Sequence, residues 1–99
     1  MNRVIIQAKD FVDPRGLILE SAERLANEVA ARLKGGSDIE ISLSELKGAS
    51  SSYFNVLLLR LIEVFGANEI RNRVTFQFRT IAQQQVFQRS LDSIAKSPA

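Results

Sequence analysis

Hydrophobic positions follow two rhythms along the chain. Between Arg3 and Ala8 the β-branched run Val4, Ile5, Ile6 is continuous, the pattern of a strand covered on both faces. Asp13 followed by Pro14 predicts a helix start, an acceptor side chain ahead of a ring with preset φ and no donor. Beyond it Ile18, Ala22, Leu25, Val29 and Leu33 recur every three or four residues, while Glu20, Glu23, Asn27 and Glu28 fall mostly off that stripe. One face of this helix should pack on a sheet. Gly35 and Gly36 supply the left-handed backbone that ends helices. From Asp38 to Leu43 the period drops to two, with Ile39, Ile41 and Leu43 on one side and Asp38, Glu40 and Ser42 on the other, which predicts a second strand.

The triplet Ser50, Ser51, Ser52 is a capping cluster for a second helix running to about Phe65, with Gly66 beyond its end. Val74, Phe76 and Phe78 alternate with Arg73, Thr75, Gln77 and Arg79, a third strand with a polar, cationic face. Thr80 can cap a last helix that carries Val86, Phe87, Ser90, Leu91 and Ile94 at helical spacing, and the tail 96–99 is expected to fray. This order predicts an α/β fold: one domain over 1–99, with three or four mainly parallel strands, right-handed crossovers and three flanking helices in two or three layers. The segment Lys9 to Asp13 is the candidate fourth strand, and strand order stays open.

The second helix does not look like an ordinary surface helix. Between Tyr53 and Phe65 only Asn55, Arg60 and Glu63 interrupt a large apolar set that covers nearly the whole circumference. Either the helix is central, squeezed between sheet and neighbouring helix, or part of it is a contact face for a protein partner or a homodimer seam, at Leu59, Arg60 and Glu63. The serines carry the same pair of readings. They can simply cap the helix, or accept a phosphate that would sit at the positive end of the helix dipole and bring nearly two negative charges to an apolar rim.

Composition narrows the chemistry. Ninety-nine residues, 45% hydrophobic and 24% charged, suit one hydrophobic core without a second catalytic lobe. The chain has no cysteine and no histidine, which excludes disulfides, thiolate chemistry and the commonest general base and metal ligand. Only Lys or a carboxylate could activate a serine, and Lys47 stands alone before the cluster, so no catalytic residue, metal or cofactor is implied. A net charge of +2 names no partner despite a pI of 9.4. Val56 to Val64 is too short and too interrupted to span a bilayer, and Met1 to Lys9 lacks a secretory apolar run, so the expectation is a cytoplasmic protein without a membrane partner. A nucleic-acid reading would rest on Arg71, Arg73 and Arg79 with Gln77; it is the weaker one, because no aromatic platform accompanies them.

The segment Ile41-Ser-Leu-Ser-Glu-Leu-Lys-Gly-Ala-Ser-Ser-Ser-Tyr-Phe-Asn-Val-Leu57 resembles the signature of the STAS-like domain family of unassigned function, in which a strand leads to a serine cluster and an aromatic-led helix. Pro14-Arg15-Gly16 before the first helix fits as well, and the element order matches from about Val4 to Ile94. Wider relatives include the bacterial anti-anti-sigma factors, regulatory proteins phosphorylated at the start of this helix by an ATP-using serine kinase of the histidine-kinase-like fold. The resemblance implies a non-enzymatic interaction module whose partner is such an anti-sigma-like kinase. Their Asp-Ser-Ser-Gly motif falls on Ser50, Ser51, Ser52 and Tyr53, making Ser51, with Ser52 beside it, the phosphoacceptor candidate. Ser50, Tyr53, Phe54 and Asn55 follow as partner-binding positions, with the alternative that the two aromatics are core, and Leu59, Arg60 and Glu63 join them from the apolar face of the helix. Ser50 and Tyr53 depart from the acidic residue and glycine of that motif, and Ser42 and Asn55 stand where the family tends to have aspartate. The alternative is a scaffold subunit or homodimer with no phosphate switch.

Overall fold

The computed structural model describes residues 3–46 and 49–96 and shows a two-layered α/β fold. Three parallel strands lie in the order β1 (Arg3–Gln7), β2 (Asp38–Ser42), β3 (Val74–Gln77), with Ile39 opposite both Val4 and Val74. Because strand order follows chain order, same-handed crossovers place every helix on one face. That face carries Ile6, Ile39, Ile41 and Val74, all buried, while Ile5, Glu40 and Thr75 point to an open, mostly polar one. The expectation that the run Val4, Ile5, Ile6 is covered on both sides fails. β1 is an edge strand and Ile5 is 60% exposed.

Between the strands run α1 (Ile18–Lys34), α2 (Ser51–Phe65) and α3 (Ala67–Arg73), and α4 (Ile81–Lys96) closes the chain. The first helix begins later than Asp13-Pro14 predicts, because Asp13 organises a turn instead. The segment read as a possible fourth strand contains a 3-10 turn, Ala8–Phe11. α1 ends in a Schellman arrangement: Ser37 N–H donates to the Arg32 carbonyl, Gly36 N–H to that of Leu33, and Gly36 holds φ +93°. The short α3 lies where the sequence pattern shows no helical period. It follows Gly66, whose φ of +84° breaks the chain direction after α2, and it is anchored by one buried side chain, Ile70.

Arg73, expected on the third strand, is the last residue of α3 and ties the structure together. Its guanidinium donates to the carbonyls of Leu33 (3.0 Å) and Ser37 (2.8 Å) and pairs with Asp38 (3.3 Å) and Glu69 (3.4 Å). One rigid fork thus joins the end of α1, the start of β2 and α3.

α2 is the central helix. Tyr53, Phe54, Leu57, Leu58 and Leu61 are buried, and at about 100° per residue they share an arc of roughly 140°. α1 packs on one side of that arc and α4 on the other. Phe54 meets Phe87 of α4 edge-on, with ring centroids 5.4 Å apart, and Phe87 also packs against Phe76 and Phe78. Val56, Ile62 and Phe65 are half-buried at the margins, which leaves Leu59 and Val64 as the large apolar residues of α2 in water. Among the described residues no buried side-chain N or O atom lacks a partner, and no helix is long and apolar enough to cross a membrane. Replacing Phe54 by Ala should cost about 3–5 kcal/mol, a large share of the ~5–15 kcal/mol typical of a domain. Leu59→Ala should stay within about 0.5 kcal/mol. Chemical denaturation of both variants checks the contrast.

Candidate functional site

The amino end of α2 is built by its own cap. Ser50 has extended backbone angles; its Oγ accepts from the Tyr53 N–H at 3.3 Å, and its carbonyl accepts from the Phe54 N–H at 3.1 Å. That hydroxyl is therefore engaged in the cap. Ser51 and Ser52 follow as the first two helical residues, and both are exposed. Asn55, Leu59, Arg60 and Glu63 are exposed too, and with Ser52 they form a ridge along α2. Leu59 lies about 12 Å down the axis from Ser51. Arg60 leans to α1 and pairs with Glu23 at 2.7 Å.

The two aromatics of the expected contact set lie elsewhere. Phe54 is fully buried and supports the helix from below, while Tyr53 is 4% exposed and lines the wall of a cleft beside α2. Burial pushes the Tyr53 phenol up to about 12, which keeps it neutral at physiological pH.

Beside this end stands an apolar lip that the periodicity did not reveal. Val12, Leu17, Ile18 and Leu19 are all exposed, and a narrow cleft of about 100 Å³ runs between Val12 and Ile18 on one side and Ala49 and Tyr53 on the other. The lip is shaped by the turn after β1. Asp13, Pro14 and Gly16 occupy the first, second and fourth positions of a β-turn closed by Gly16 N–H to the Asp13 carbonyl at 2.8 Å. Asp13 Oδ2 accepts from the Arg15 N–H at 2.8 Å. Its own N–H donates to Ser21 Oγ at 2.8 Å, and that hydroxyl donates to the Leu17 carbonyl at 2.7 Å. Below the turn, the exposed pair Lys9 and Glu45, 2.9 Å apart, links the 3-10 turn to the loop leading to α2. Their hydrogen bond and mutual attraction raise the Lys9 pKa and lower that of Glu45.

On the other flank, Leu46, Ala49, Arg79, Thr80, Gln83 and Val86 line an open recess of about 520 Å³. Gln83 closes its wall: the side-chain carbonyl accepts from the Arg79 N–H at 2.7 Å, while Thr80 Oγ1 caps α4 by accepting from the Gln83 N–H at 3.0 Å. Pockets that hold small molecules usually enclose about 300–1,000 Å³ and bury most of the ligand. The cleft is too small for that and the recess is open. Among the described residues no group of three or more Asp or Glu could hold a metal. Lys47, the lone lysine before the serines, lies outside the described residues, as does most of the tail 96–99.

The arginines do not form the cationic strip expected of the third strand. Arg73 is spent on internal partners, Arg71 is on α3 ahead of β3, and Arg79 follows its far end. The two exposed ones thus lie at opposite ends of β3.

Asp13 gives this site a measurable pH signature. Burial opposes its ionisation, but the N–H groups of Arg15 and Leu17 and the Arg15 guanidinium outweigh that and hold the carboxyl below its ordinary range. The stability it adds is full above the unfolded value, about 3.9, and is lost as pH falls through the lower folded value. Asp13→Asn should therefore lower the melting temperature at pH 7, and the gap to the native protein should close as pH falls toward 3.

A family model described as a STAS-like domain of unknown function matches residues 21–77, from the first turn of α1 through β3. No curated protein and no solved structure matches the chain.

Proposed function

The chain belongs to the STAS-like domain family, and from that premise we propose that it is a non-enzymatic regulatory module of the cytoplasm that recognises a protein partner at the amino end of α2. The observation that carries this reading is the cleft edged by Val12 and Ile18 and by Ala49 and Tyr53 at the start of α2, with Leu17 and Leu19 exposed on either side of Ile18 in the chain and Ser51 and Ser52 exposed just ahead of Tyr53. Val12, Leu17, Ile18 and Leu19 are large apolar side chains in water within eight residues of chain, and contiguous apolar surface of that kind marks an interaction site. A charge on the neighbouring hydroxyls would interfere with apolar contact there. The ridge of Asn55, Leu59 and Glu63 extends the same surface down α2.

Phosphorylation of Ser51 or Ser52 is the proposed switch, and a serine kinase of the histidine-kinase-like ATPase class is the proposed partner, by likeness to the anti-anti-sigma factors. Ser50 is the poorer acceptor because its hydroxyl caps the helix. A phosphate on the first helical residue would be favoured by the helix dipole, so it need not unfold the domain. It would instead set nearly two negative charges against an apolar contact.

The test is partner binding by Ser51→Asp, Ser51→Ala and Leu19→Asp variants, with thermal stability as control. Ser51→Ala should bind like the native chain; Ser51→Asp and Leu19→Asp should each lose at least tenfold in affinity, with melting temperatures near native. Binding indifferent to both Ser51 variants removes the switch, and binding indifferent to Leu19→Asp removes the lip.

A further inference from the structure

The free edge of β1 combines three features. β1 stands at the end of the strand order and, among the described residues, is bonded to β2 alone. It is regular over all five residues, with no proline, no bulge and no lysine within it. Arg3, its one charged residue, turns along the open face toward Glu40, 3.5 Å away. β1 also places a large apolar residue, Ile5, on an otherwise polar sheet face, where its cross-strand neighbours are Glu40 and then Thr75.

We propose that two copies of this chain pair through these edges, antiparallel about a two-fold axis at Ile5, to make one six-stranded sheet. The occupant follows from the strand itself. Opposed residues in an antiparallel pair share a face, so only registers two residues apart keep both helical layers on the same side. Of these, the register centred on Ile5 pairs the whole strand. Ile5 meets Ile5 of the second copy, half-buried Val4 meets buried Ile6 on the helical side, and Arg3 meets Gln7, so no like charges face each other. Sliding by two residues sets Ile5 against Arg3 or Gln7 and leaves fewer residues paired. The contact is small beside the roughly 1,000 Å² of a firm complex, so the dimer is reversible and depends on concentration. It uses a sheet edge rather than the lip and is independent of the function proposed above.

Sedimentation velocity over a range of protein concentration, on the native chain and on Ile5→Lys, tests the pairing. The native chain should shift from monomer toward dimer as concentration rises. Ile5→Lys sets two lysines face to face and should stay monomeric with an unchanged far-ultraviolet spectrum. The chain has no cysteine, so single-cysteine variants give a second readout. Ile5→Cys should form a disulfide-linked dimer under mild oxidation, and Thr75→Cys, exposed on the same face but two strands away, should not. A native chain that is monomeric throughout, an Ile5→Lys chain that dimerises equally, or equal crosslinking from Thr75→Cys would each overturn the proposal.

Discussion

The burial of one arc of α2 against the sheet, with α1 and α4 on either side, is the constraint on which the rest of the structure depends. All the helices lie on one face, so α2 has a floor and two walls but no roof. Phe54, Leu57, Leu58 and Leu61 fill the enclosed arc completely. The outer arc is left with Ser51, Ser52, Asn55, Leu59 and Glu63. Packing alone thus selects which side of this apolar helix faces solvent, and the segment leading into α2 is left with a cleft on the α1 side and an open recess on the α4 side.

Polar ties fix the ends of the elements that packing leaves loose. Arg73 gathers carbonyls at the end of α1 and before β2 together with two carboxylates, which is work for a planar fork and not for a point charge. Asp13 does the corresponding task at the other end, holding the turn that presents Leu17, Ile18 and Leu19. Both residues are charged, and neither is available to an outside ligand without loosening the fold.

Much of this was legible in the sequence. The serine cap, the span from Ser51 to Phe65 and Gly66 after it read directly, because cap, apolar run and stop each leave a local chemical mark. The two-residue rhythm of β2 likewise showed which side is buried. Other features depend on contacts between distant segments. Ile18 read as the opening of a helical stripe, yet three consecutive apolar residues, Leu17, Ile18 and Leu19, cannot all face one core, and α1 begins only at Ile18 with all three exposed. α3 carries one buried apolar residue, Ile70, and so has no periodicity to detect. Tyr53 and Phe54 matched a contact motif by position, but burial depends on where α1 and α4 lie. Arg73 looked like a cation on the polar face of a strand because three of its four partners, the Leu33 and Ser37 carbonyls and Asp38, lie 35 to 40 residues away, and because α3, which brings Glu69 within reach, leaves no mark in the pattern.

The central claim is that a partner meets the helical layer at the amino ends of α1 and α2 and leaves the open sheet face free. Site-specific photocrosslinking in cells that naturally carry the protein addresses it most directly, with the reactive side chain placed in turn at Ile18, Ser52 and Thr75, all exposed. The account predicts the same protein adduct from Ile18 and Ser52 and none from Thr75. An adduct from Thr75 alone would contradict it, placing recognition on the sheet.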